Sequence, residues 1–323
     1  MRVLLATDGS KHAREAAEWL ARFPLASTTS VLVLAVAPLP VLSTGIPSTR
    51  DLEEMIVATA RAAADAAATV LGRRWPEAAV RVVEGDPRDR IPSVVGQWGA
   101  DLLVLGARGL GAVKRVLLGS VSSAMVHHAP CPVLVVRGGG TRALGAVIVA
   151  IDGSADALAA ARFFAGLRLE GPPTVQLLGV VEPPYRPRRG PRRVTGVVRA
   201  AVDRLGVERR HELEEAFAVV ESALEGSAVT ERIVRVGRPA DEILKAARNA
   251  GLIVVGARGL GLIDRLLLGS VSEQVLYQAP CPVLVVLGRD GALSARLRRW
   301  EWHSPGSDHR SRGFRAPRSR GAG

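Results

Sequence analysis

The sequence predicts an α/β chain made of two tandem, doubly wound domains, each on a five-stranded parallel sheet, followed by a basic C-terminal tail. Three observations lead there. Residues 106–136 recur at 256–286 with 21 identities in 31 positions, a period of 150 residues. That period is the size of a domain and too long for a solenoid repeat. Each half alternates short, continuous apolar runs with stretches of helical apolar spacing, the pattern of strands covered on both faces by helices. Finally, 323 residues at 48% apolar composition can bury two substantial cores.

The elements follow in order. Val3–Ala6 reads as a first strand and Ser10–Phe23 as a helix. Val31–Val36 is the second strand, 50–72 an alanine-rich helix and Val80–Val83 the third strand. A helix over 88–98, the run Leu102–Leu105, a helix from about 119 and the run Val133–Val136 complete the unit. The second half repeats this order with strands at Ala146–Ile151, Val175–Val181, Val229–Val236, Leu252–Val255 and Val283–Leu287. Its helices are expected at 154–167, 197–224, 239–249 and 269–278. Five strands alternating with four helices imply parallel sheets with right-handed crossovers.

The domains are therefore expected at 1–137 and 145–288, joined by a glycine-rich linker over 138–144. The tail, 289–323, holds nine arginines against Asp290, Glu301 and Asp308, half of the chain's net charge of +12. Such a segment reads as largely disordered. Cys131 and Cys281 occupy the same place in each repeat, with no CxxC pair and no histidine at metal-ligand spacing, so they read as structural. Asp8 interrupts the first apolar run too soon for a signal peptide, and no stretch approaches the roughly 20 apolar residues of a membrane helix. The expected location is cytoplasmic, with no membrane partner.

The informative loop follows the fourth strand of each half. Gly106 and Gly109 are followed after nine residues by Gly119 and Ser120; Gly256, Gly259, Gly269 and Ser270 repeat the pattern. In an open parallel sheet, ligands sit at the carboxyl ends of the strands. Glycines there permit positive φ and let phosphate oxygens approach the backbone. The glycine–serine pair then opens a helix, whose free N–H groups favour an anion. Ser270 and Glu273 also have the spacing of a capping box, an alternative use for that serine. There is no Walker loop and no dinucleotide fingerprint.

Gly-x2-Gly-x9-Gly-Ser after the fourth strand, with a Pro-Cys-Pro-Val-Leu-Val-Val final strand, resembles the universal stress protein domain, over 1–137 and 145–288. The resemblance implies the adenine nucleotide alpha hydrolase-like fold and ATP, with or without Mg²⁺, lying across the sheet edge. Val36 and Val180 would contact adenine, and Asp8 and Asp152 would lie near the ribose or a phosphate-bound metal. Gly106, Gly109, Gly119, Ser120 and Val121 would hold phosphates in the first half, and Gly256, Gly259, Gly269, Ser270 and Val271 in the second. The family also suggests that the two last strands pair antiparallel, making an intramolecular pseudo-dimer, with a homodimer as a further assembly. Cys131 and Cys281 would then start opposite ends of the pair, too far apart to bond.

No catalytic constellation is evident: none of the six histidines pairs with a repeated serine, cysteine or acid. The leading reading is an ATP-binding regulatory protein of the stress response, acting on a protein partner the sequence does not name. A slow ATPase or autophosphorylating enzyme on the same fold is one alternative. A module whose basic tail binds a partner or nucleic acid is the other, and nucleic acid is expected only weakly, through the tail. In the second half the stretch 183–193 carries five arginines at the ligand edge, where the first half is apolar. The tail prediction is direct: a chain ending at residue 288 keeps its melting temperature and nucleotide affinity and loses salt-sensitive attraction to polyanions. A large fall in melting temperature on truncation would place the tail within the fold.

Overall fold

A computed structural model describes residues 1–38, 50–109, 118–137, 145–167, 169–183, 196–225, 228–260 and 268–288. The linker 138–144, nearly all of 183–193, the middle of each nine-residue spacer and the tail 289–323 lie outside the described residues. The first half runs β1 (Arg2–Thr7), α1 (Lys11–Arg22), β2 (Ser30–Ala37), α2 (Arg50–Leu71), β3 (Ala79–Glu84), α3 (Pro87–Trp98), β4 (Leu102–Gly106), α4 (Ser120–His128) and β5 (Val133–Val136). The second runs β6 (Ala146–Ile151), α5 (Ala155–Ala165), β7 (Thr174–Val181), α6 (Gly196–Leu224), β8 (Val229–Val236), α7 (Pro239–Ala246), β9 (Ala250–Gly256), α8 (Ser270–Gln278) and β10 (Val283–Val286).

Local chemistry accounts for the boundaries. Ser10 caps α1 by accepting from the Ala13 amide, and Ser154 caps α5 through Ala157, both at 3.2 Å. Asp86 caps α3 through the Arg88 amide, Pro87 takes the first turn, and Gly99 ends the helix with φ of 71°. The expected helix 239–249 is shorter than its spacing suggests: α7 stops at Ala246, and Ala247–Asn249 form a 3₁₀ turn. In the first half Asp101 accepts from the Arg2 amide and marks the start of β4. Gly251 holds the matching place without a side chain, and β9 takes in Ala250 and Gly251 with a register shift against Ala146 and Val147.

The ten strands form one continuous sheet in the order β3-β2-β1-β4-β5-β10-β9-β6-β7-β8. Pairing is parallel within each half, and β5 meets β10 antiparallel, with Leu134 opposite Leu284. Each last strand would be an exposed apolar edge if its half stood alone. A further contact between halves, beside Arg137 donating to the Leu276 carbonyl, is a bridge between Leu25 and Leu169. Glu170 reinforces it by donating its amide to the Pro24 carbonyl and pairing with Arg74 at 2.6 Å. Helices cover both faces, so β1, β4, β5, β9 and β10 have cores on both sides.

Two predictions follow from the antiparallel seam. Continuing its register brings Cys131 level with Leu287, about 20 Å along the strand from Cys281 at ~3.3 Å per residue. Both cysteines are buried and neither is in a disulfide, which needs Cα atoms within about 7 Å. Non-reducing peptide mapping after mild oxidation should therefore recover no intramolecular Cys131–Cys281 peptide. Leu284 is 1% exposed at the seam. Leu284→Ala should cost about 2–5 kcal/mol, read by urea unfolding of the whole chain. A loss below ~1 kcal/mol would mean that the seam contributes little.

Candidate functional site

The sheet order reverses between β1 and β4 in one half and between β6 and β9 in the other, so the crossover helices diverge there and leave a crevice. A cavity of about 590 Å³ lies at this point in the first half and one of about 830 Å³ in the second. Asp8, Val36, Gly106, Gly109, Gly119, Ser120 and Val121 all line the first. Asp152, Val180, Gly256, Gly259, Gly269, Ser270 and Val271 all line the second. Residues spread over more than a hundred positions in each half thus converge on one crevice.

The glycines act through close approach, and here the structure corrects the sequence reading. None of the six named loop glycines is among the described residues with positive φ; Gly119 and Gly269 have φ of −74° and −67°. A Cβ on Gly106 would lie 2.5 Å from the His12 carbonyl carbon, and one on Gly256 at 2.5 Å from that of Asp156. These two positions are glycine because a helix N-terminus packs directly on the strand end. A Cβ on Gly109 would stand 2.5 Å from Oδ2 of Asp8, and one on Gly259 at 2.8 Å from Oδ2 of Asp152. Positive φ belongs instead to Gly9 and Gly153, at 75° and 81°, in the turn after each first strand.

Those turns carry residues that the loop motif alone does not flag. Asp8 Oδ1 accepts from the Ser10 amide at 3.0 Å, and Asp152 Oδ1 from Ser154 at 2.9 Å, so each acid is held by its own turn. Ser10 and Ser154 also donate to the carbonyls of Arg108 and Arg258, tying the first loop to the fourth. From the other side, buried Ser122 donates to the Gly106 carbonyl at 2.7 Å and Ser272 to that of Gly256 at 2.6 Å. The repeated Gly-Ser-Val-Ser at 119–122 and 269–272 was the available signal for this pair. Gly119 and Gly269 then close each spacer by donating to Ala107 and Ala257.

Ser120 and Ser270 occupy the first turns of α4 and α8 and are exposed. The N-caps are Gly119 and Gly269, with no side-chain cap, so the capping-box use of Ser270 is not realised. Each helix start thus keeps its N–H groups turned to the crevice edge without a side-chain acceptor at the cap. Val36 and Val180 are half-buried at the carboxyl ends of β2 and β7.

The crevices differ on their outer walls. Helix α2 presents Ile56, Thr59 and Ala60 to the first. Helix α6 presents Leu205, Gly206 and Arg209 to the second, where Arg209 donates to the Asp152 carbonyl at 3.1 Å and pairs with Glu212. Among the described residues no group of three or more histidines, cysteines and acids is placed to hold a metal. Asp8 and Asp152 are single carboxylates. They fit a cation carried in on a polyphosphate, not a metal held by the protein alone.

Removing one pinning hydroxyl should loosen its loop. Ser122→Ala leaves the Gly106 carbonyl without that partner and should cost about 1–3 kcal/mol. Ser272→Ala should cost the same at Gly256. Chemical denaturation of each variant checks this, and two values within ~0.5 kcal/mol of wild type would refute the pinning role.

Comparison with known proteins fits this geometry. The family model of the universal stress protein family matches residues 1–137 and 144–286. A universal stress protein of Mycolicibacterium smegmatis is 30% identical over 299 residues, covering 89% of this chain and 97% of its own length. A universal stress protein of Thermus aquaticus is 45% identical over 136 residues, 42% of this chain and 97% of its own. In fold, the crystal structure of a universal stress protein from Archaeoglobus fulgidus superposes with a TM-score of 0.58 at 24% identity, covering 88% of this chain and 96% of that one. Two family matches, one on each crevice-bearing half, and a full-length relative lead to one conclusion: the chain belongs to the universal stress protein family, as a tandem member with two copies of its domain.

Proposed function

We propose that the chain is an ATP-binding regulatory protein of the stress response, holding one adenine nucleotide in each half. The observation that carries this reading is the convergence of both motif sets on two crevices at the sheet's switch points. Volumes of about 590 and 830 Å³ suit a nucleotide, since small-molecule sites run about 300–1,000 Å³. Val36 or Val180 would pack on the adenine. The loop amides around Gly109 and Gly259 and the starts of α4 and α8 would hold the phosphates. Asp8 and Asp152 would face the ribose or a Mg²⁺ that the phosphates bring. ATP occupancy would set the protein's conformation or its binding of a partner.

Among the described lining residues Asp8 and Asp152 are the only acids repeated in both halves, Glu182 and Glu273 lining the second crevice alone, and a single repeated acid favours binding over turnover. This reading places the protein in the cytoplasm; no helix among the described residues is long and apolar enough to cross a membrane.

Titration calorimetry with ATP should give two sites per chain. Gly109→Val places a branched side chain against Asp8 and should weaken the first site at least tenfold, sparing the second. Gly259→Val should do the reverse against Asp152. A tenfold change corresponds to about 1.4 kcal/mol, well within the cost of such a clash. A wild type with one site or none would overturn the two-site reading, and steady ATP turnover would replace it with the enzymatic one.

A further inference from the structure

The two halves differ at one internal contact. In the second, Asp156, on the first turn of α5, is 4% exposed. Its carboxylate accepts from Arg258 Nε at 2.8 Å, Arg258 Nη2 at 3.1 Å, and the amides of Arg258 and Gly288 at 3.0 and 3.1 Å. Four donors around one buried carboxylate make a complete oxyanion site, which the protein fills with its own side chain.

In the first half the same helix position is His12, and Arg108 stands in place of Arg258. The backbone is the same, since α1 presses on Gly106 at His12 as α5 presses on Gly256 at Asp156. Arg108 Nε is buried there and has no hydrogen-bond partner among the described residues. Positive charge also accumulates. Arg137, where the second half has Leu287, is pushed down in pKa by burial and then by the charge of Arg108. Burial lowers His12 as well, and Arg108 adds to that against the pull of Glu15. Arg108 therefore stands between the His12 imidazole and the Arg137 guanidinium, which also donates to the Leu276 carbonyl, where the other half places a carboxylate.

We propose that Arg108, with Arg137 and His12, forms an oxyanion site in the first half that takes a phosphate group, the chemical counterpart of the Asp156 carboxylate in the second. A planar guanidinium matches phosphate as well as carboxylate, and two arginines favour a doubly charged anion over a single carboxylate. Arg108 also lines the first crevice, so the phosphate comes either from a nucleotide bound there or from free inorganic phosphate. The free-phosphate form stands without any nucleotide.

The test uses the full chain and three proteins: wild type, Arg108→Met and His12→Asp. The last copies the second half's carboxylate into the first. At matched ionic strength, inorganic phosphate at about ten times its Kd should raise the wild-type melting temperature over chloride by roughly 2–4 °C. His12→Asp should start higher in chloride, and both variants should lose the phosphate response. In calorimetry, a tenfold loss of ATP affinity at one site in both variants, with AMP affinity unchanged, assigns the phosphate to the nucleotide. Unchanged ATP affinity with a lost phosphate response assigns it to free phosphate. A phosphate response equal in all three proteins overturns the proposal, and so does no response in wild type together with unchanged ATP affinity in both variants. A wild type that responds to phosphate but binds no nucleotide keeps this site and overturns the function proposed above.

Discussion

In each half the backbone of a helix N-terminus lies against the end of the fourth strand, close enough that only glycine fits at Gly106 and Gly256. This contact brings the turn after the first strand onto the loop after the fourth, and the rest of the crevice depends on it. Asp8 and Ser10 reach the Gly109 loop only because α1 sits so low, and Asp152 and Ser154 reach the Gly259 loop by the same means. Ser122 and Ser272 then hold the opposite side through the glycine carbonyls. A floor fastened at both ends is preorganised, so little ordering would remain for a ligand to cost.

The seam between β5 and β10 solves a different problem. Four-residue strands with every side chain buried cannot face water, and each half would carry one as an edge. Pairing them antiparallel gives one sheet whose outer strands, β3 and β8, carry Arg81, Glu84, Glu231, Arg232 and Arg235. Duplication within one chain makes this pairing intramolecular, so the two crevices stay together at any concentration.

Duplication also left the halves free to diverge where packing allows. The strand ends, the glycines and the pinning serines are the same in both. The walls differ: Ile56 faces one crevice and Arg209 the other. The internal carboxylate of Asp156 has His12 as its counterpart. Identical backbone with different charge is the arrangement expected where two sites share a fold and differ in what they favour.

From the sequence alone came the tandem division, the alternating elements and the residues that line both crevices. Each rests on local or periodic information: a 150-residue repeat, apolar runs of strand length, and glycines spaced around a strand–loop–helix turn. The role of those glycines was not legible, because spacing cannot tell a backbone that needs positive φ from one that needs room for a neighbour. That distinction appeared when His12 and Asp156 were found against Gly106 and Gly256, and the positive φ at Gly9 and Gly153. The end of α7 at Ala246 likewise depended on how Ala250 and Gly251 enter the sheet beside β6. The fate of Arg108 and Arg258 was decided only in three dimensions. Both stand in the same Gly-Ala-Arg-Gly motif, and what separates them is a helix residue about a hundred positions earlier in the chain.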